Sequence, residues 1–213
     1  MTPQLPLTLL SSLNLAKHVD SNIWAAALLM FFGLLRKSNV LPASPGPGAF
    51  DPALHLRRTD ISFTPQGARV LIRWSKTNQF RSREVSLPLP RIQGHQLCPT
   101  QALYHALRLT PSAPSAGPAL VVPHGLNSFR PLTAPSFVSA VKAGLANSCD
   151  TSTISGHSFR RGGACWVYST GIPVDTIRQL GDWKSNSYTD YVLCDNMILS
   201  AALSQMANAL PPT

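Results

Sequence analysis

Apolar residues crowd the start of the chain. Leu5, Leu7, Leu9, Leu10, Leu13 and Leu15 predict a first helix over residues 5–18. Asp20 and Ser21 suit the cap of a second helix, from Asn22 to Asn39. Within it, Ile23 to Leu35 is apolar on every side, which predicts a helix central to the core. The stretch is too short to span a bilayer and runs into Arg36 and Lys37, so no membrane partner is expected. Residues 41–52 hold four prolines and two glycines and must be a loop.

The period then changes from helical to alternating. Asp60 to Thr64 predicts a short strand and Pro65-Gln66-Gly67 a turn. From Arg69 to Trp74, Arg69, Leu71 and Arg73 alternate with Val70, Ile72 and Trp74. Glu84 to Leu89 predicts a third strand, so a small antiparallel sheet is expected. Helices follow at Cys98–Leu109, Ala134–Ala146, His157–Tyr168, Val174–Gln179, about Ser185–Val192 and Asn196–Ala209. Thr110 to Pro118 is rich in Pro, Ser, Ala and Gly and predicts a loop. The expected fold class is α+β, mainly helical, with a three-stranded antiparallel sheet. Residues 1–20 are expected to be a helical remnant or linker, and residues 21–213 the main domain.

Composition sharpens this. The chain has 213 residues, 18 Lys and Arg against 9 Asp and Glu, and a net charge of +9. That balance favours a polyanionic partner. Asp51 to Thr100 alone carries eight basic and three acidic residues. Arg69, Arg73, Arg81 and Arg83 are the candidate DNA contacts there, with Arg161 and Lys184 further on. The sheet offers a plainer use for such charges, guarding an exposed edge. Glu84 is the single glutamate, and no spacing among the eight aspartates advertises a two-metal nuclease. Cys98, Cys149, Cys165 and Cys194 are far apart, so a zinc site is not expected, and Cys165 reads as a buried thiol.

Five segments place polar groups in apolar or glycine-rich settings: Gly33 to Ser38, Trp74 to Thr77, Gly156 to Gly163, Gly181 to Ser185 and Tyr188 to Tyr191. His157 and Arg160 lie three apart at a helix start, where free N–H groups and the dipole favour an anion. Arginine offers a planar fork to two phosphate oxygens, and histidine a proton carrier near neutral pH. Gly162 and Gly163 inside that helix cost about 1 kcal/mol each against alanine, which close approach of another backbone would offset. Arg36 closing an apolar helix and Lys76 in a hairpin turn have ordinary uses in complementing a dipole and in solvation. Trp183 can anchor a core or donate its N–H. Tyr188 and Tyr191, three apart, can be one core and one exposed.

Taken together and in order, these phrases resemble the tyrosine recombinase (phage integrase) family, from about Trp24 to Ala209. Phe32-Gly-Leu-Leu-Arg-Lys-Ser-Asn39, Arg73-Trp-Ser-Lys-Thr-Asn-Gln-Phe80, Ser155-Gly-His-Ser-Phe-Arg-Arg-Gly-Gly-Ala164 and Gly181-Asp-Trp-Lys-Ser185 are similar to recombinases of Crypton and DIRS-like eukaryotic mobile elements. The resemblance implies the catalytic-domain fold of that family and gives each residue a role. Arg36 and Arg160 would grip the scissile phosphate. Lys76 would protonate the leaving 5′ oxygen, and His157 would carry the tyrosine proton. Trp183, where many members have a second histidine, would donate its indole N–H. Tyr191 would be the nucleophile of a 3′-phosphotyrosyl bond, because it lies eight residues beyond Trp183 and Tyr188 only five.

Such chemistry needs no metal or other cofactor, because the protein supplies the cations. The implied partner is double-stranded DNA. A homo-oligomer is also implied, a tetramer on DNA through residues 196–209, whose apolar face could equally cover its own domain. Action would be nuclear. Two departures stand out. Many members have an acidic residue where this chain has Asn39, and members carry an N-terminal core-binding domain. Only about twenty residues precede Trp24, so a fragment or a truncated element remnant is expected. The alternatives are DNA binding without catalysis and relaxation in the manner of a type IB topoisomerase.

Overall fold

The computed structural model describes residues 3–46, 48–74, 85–126 and 128–183. A 15-residue helix, α2 (His18–Phe32), is its axis. Every residue from Ser21 to Phe31 is buried, as an all-round apolar stretch requires. The buried amide of Asn22 is satisfied. Its Nδ2 donates to the His18 carbonyl at 2.8 Å, and its Oδ1 accepts from the Val121 N–H at 3.1 Å.

Around α2 stand α1 (Gln4–Ser11), α4 (Pro99–Leu109), α5 (Ala134–Leu145) and α6 (Ser158–Ser169). The short α3 (Lys37–Val40) follows α2, and α7 (Val174–Leu180) packs on α6. Leu9 of α1 is fully buried in the same core as α2. The first helix is shorter than the apolar pattern predicts. It stops at Ser11, and Asn14 leaves the helix to donate its N–H to Asp20 Oδ2 at 2.9 Å. Asp20 therefore lies inside the first turn of α2, and the cap position is Lys17.

The expected sheet is present. β1 (Ile61–Thr64), β2 (Gly67–Ile72) and β3 (Val85–Pro90) run antiparallel in that order, with Ile61 opposite Val70 and Val70 opposite Leu87. Ala68, Val70, Ile72, Leu87 and Leu89 face the core while Arg69 faces solvent, the alternation that the sequence shows. Thr100 at the start of α4 donates to the Pro90 carbonyl at 2.9 Å and ties that helix to β3. A second antiparallel pair, β4 (Val121–Pro123) with β5 (Phe129–Pro131), was not predicted.

The largest correction concerns the stretch read as one helix from Asn22 to Asn39. The helix ends at Phe32. Leu34 then takes a left-handed backbone, φ 48°, and Arg36 is the cap of a new helix rather than the end of an old one. Cys165 is half-buried rather than buried. Helices expected at residues 185–192 and 196–209 lie outside the described residues.

Candidate active site

The break after α2 builds the site. Because Leu34 turns back, its carbonyl points at α6, where Arg160 receives it. Arg160 is 3% exposed. One Nη donates to the Leu34 carbonyl and the other to the Gly181 carbonyl, the second at 2.7 Å. The guanidinium carbon also lies over the Trp183 ring, 4.1 Å from its centroid. Trp183 is buried in a small apolar cluster with Leu34, Ala164 and Ile177. One arginine thus joins the exits of α2 and α7 to the body of α6. Asp182, between the Gly181 carbonyl and Trp183, also has a left-handed backbone, φ 52°. Strained residues held this way gather at functional sites.

Arg36, Arg160 and Asp182 line one depression, whose other walls include Asn39, Trp74 and Leu87. Arg36 is half-buried, and among the described residues its side chain has no ion pair or hydrogen bond. Its free donors suit an anion.

His157 caps α6 and is exposed. A local turn holds it there: the Ser155 N–H donates to Ser158 Oγ at 3.0 Å, and the His157 N–H to Ser155 Oγ at 3.2 Å. Desolvation, then the charges of Lys37, Arg160 and Arg36, hold its imidazole below the usual histidine pKa. Solvent screens part of that effect, but the direction favours a neutral ring at pH 7, a proton acceptor.

Asn39 is a site residue that sequence reasoning treated only as a departure. It is 3% exposed. Its Oδ1 accepts from the Arg36 N–H at 3.1 Å, and its Nδ2 donates to the Trp74 carbonyl at 2.9 Å. The amide ties the backbone of Arg36 to Trp74, two residues past the end of β2. A carboxylate could accept the first bond but could not donate the second. Asn39→Asp is therefore expected to destabilise the fold by about 1–3 kcal/mol at pH 7, the usual cost of facing an unsatisfied buried carbonyl. The introduced carboxyl would have a raised pKa in the fold. Its protonated form donates again, so the loss should shrink as pH falls. Urea melts at pH 7 and pH 4 read both effects, and equal stability with wild type at pH 7 would remove the bridge from the account.

The basic candidates on the sheet divide. Arg69 is exposed on β2, and Arg161 is exposed on α6. Arg73 donates to Asp60 Oδ1 from Nε at 3.0 Å and Nη2 at 2.9 Å. Arg57 meets the same carboxylate at 2.9 Å. Burial alone would raise the Asp60 carboxyl, but the bonds from Arg57 and Arg73 outweigh it and hold the group below the usual carboxylate range. Lys76, Arg81, Arg83, Lys184, Tyr188 and Tyr191 lie outside the described residues. The structure thus brings together Arg36, His157, Arg160 and Trp183 of the expected set.

A central buried helix, flanking helices and a three-stranded sheet leading into this depression make up the catalytic-domain fold of tyrosine recombinases. Among solved structures of that fold, the chain is similar to XerH site-specific recombinase in its post-cleavage complex with palindromic difH substrate. That match has a TM-score of 0.64 and 14% identity over 96% of this chain and 52% of that one. The pre-cleavage XerH complex with difH gives a TM-score of 0.60 and 15% identity over 96% of this chain and 53% of that one. The chain therefore spans about half the length of these recombinases. No protein-family model and no curated protein sequence matches it.

Proposed function

We propose that the chain cuts and rejoins duplex DNA through a 3′-phosphotyrosyl bond to Tyr191, as a metal-independent strand transferase of the tyrosine recombinase class. The observation that carries this reading is the convergence of Arg36 and Arg160 on one depression, with His157 beside them, in a recombinase fold. The XerH structures hold DNA substrates before and after cleavage, which supports duplex DNA as the partner.

In the proposed reaction the Tyr191 oxygen attacks the scissile phosphorus. The tyrosine proton passes to His157, since a free phenol with pKa about 10 is a weak nucleophile at pH 7. The bond from phosphorus to the 5′ oxygen breaks, and Lys76 protonates that oxygen. Arg36 and Arg160 take up charge on the non-bridging oxygens, with the indole N–H of Trp183 as a further donor. Rejoining reverses each step, because the phosphotyrosyl bond keeps the energy of the broken one. Arg69, Arg81, Arg83, Arg161 and Lys184 contact the flanking backbone, while Arg73 is held by Asp60. In this proposal copies assemble on DNA through residues 196–209, and the resemblance to Crypton and DIRS-like phrases is what favours a mobile element acting in a nucleus.

A second reading is DNA binding without cleavage. It draws on Arg160, whose two Nη groups already serve main-chain carbonyls. A nicked suicide substrate drawn from the flanks of its own gene separates the two. Wild type and Tyr188→Phe are expected to give an SDS-resistant adduct, and Tyr191→Phe none. Salt-sensitive binding with no adduct from any version would establish the second reading. Relaxation of supercoiled plasmid without strand exchange would identify a topoisomerase-like activity instead.

A further inference from the structure

Lys37 has no part in the reaction described above, yet it stands at the same site. Its stem runs through the space that a side chain at residue 156 would fill. A Cβ built on Gly156 would overlap Lys37 Cδ and lie 3.1 Å from Cγ and 3.2 Å from Cβ. Gly156 is buried, so this is a slot rather than open surface. It directs the lysine stem past the residue that precedes His157.

Two further facts suggest what the ammonium is for. Lys37 is half-buried, and among the described residues it has no ion pair or side-chain hydrogen bond. It also stands next to Arg36 in the chain. Of the charges acting on the His157 ring, that of Lys37 is the largest, ahead of Arg160 and Arg36. Asp182 lies on the wall shared with Arg36 and Arg160. A cluster of cations is stabilised by an arriving polyanion.

We propose that Lys37 is a further phosphate-binding residue of this site. It would take a non-bridging oxygen of the DNA phosphate that adjoins the one held by Arg36 and Arg160, with Gly156 as the slot that aims it. The proposal rests on the reading of the chain as a DNA-cleaving protein, and its test keeps the two apart. Lys37→Gln, Lys37→Arg and Gly156→Ala would be compared with wild type, each first checked for a native thermal melt. Duplex binding would be measured against salt, and adduct formation against pH.

Lys37→Gln is expected to lower the slope of log affinity against log salt by about one phosphate contact, with Lys37→Arg restoring it. Gly156→Ala should give the same loss with the lysine still present, because the methyl displaces its stem. The acidic limb of adduct formation should move to higher pH in Lys37→Gln, since His157 loses its strongest cationic neighbour. A salt slope and pH profile unchanged in Lys37→Gln would overturn the proposal. So would a Gly156→Ala protein with wild-type behaviour. If wild type binds DNA but forms no adduct, the cleavage reading fails, and the salt slopes still decide the role of Lys37.

Discussion

Arg160→Ala is expected to destabilise the protein by about 4 kcal/mol or more, as well as to abolish adduct formation. The stability loss has two named parts. The carbonyls of Leu34 and Gly181 lose their donors, at about 1–3 kcal/mol each when buried and unpaired. The face of Trp183 loses a desolvated cation, a contact of about 2 kcal/mol. Leu34 adds to this, because its left-handed backbone persists only while its surroundings hold it. Arg160→Lys keeps the charge but cannot reach two carbonyls with one planar fork. It should fall between wild type and alanine in a urea melt, with adduct formation still severely reduced. A stable Arg160→Ala protein, within about 1 kcal/mol of wild type by the same physics, would mean that the carbonyl bridge does not hold the site.

Gly163→Ala is expected to destabilise by about 2–4 kcal/mol, against the ordinary sign for that change. In an open helix alanine gains about 1 kcal/mol over glycine. Here a Cβ on Gly163 would overlap the Phe31 carbonyl oxygen and come within 2.8 Å of Leu34 Cδ2. The contact is backbone, so no rotamer change relieves it, and α2 and α6 must move apart. The expected result is a drop of several degrees in melting temperature for Gly163→Ala, measured by circular dichroism. A rise would show that the two helices can separate freely. Because Arg36 follows the exit of α2 and Arg160 stands on α6, the loss should also appear in DNA cleavage.

Much of this was legible in the residues. The all-round apolar run placed α2 in the core, and the alternation around Val70 and Ile72 placed the sheet. His157 and Arg160 at a helix start were legible because their spacing and the serine before them are local signals. The glycine pair that followed correctly pointed to a backbone approach, which Gly163 makes. The break at Gly33–Leu35 was not legible. Both sides of it are apolar, and nothing in Leu34 asks for a left-handed backbone. The partner that holds it, Arg160, is more than a hundred residues away in sequence. Asn39 was hidden for the same reason, since its second partner is a carbonyl on another element. Arg73 read as a free basic residue because its partner, Asp60, is brought to it only by strand pairing. The β4–β5 pair is two segments of three residues, too short to carry a period.

The first measurement is the identity of the residue that carries DNA. Protein trapped on a nicked suicide substrate would be digested with nuclease and protease, and the peptide bearing the nucleotide remnant sequenced by mass spectrometry. Strand transfer through this site requires the remnant on Tyr191, joined through a 3′ phosphate, with a free 5′ hydroxyl on the released strand. A remnant on Tyr188, on a serine, or joined through a 5′ phosphate would contradict it.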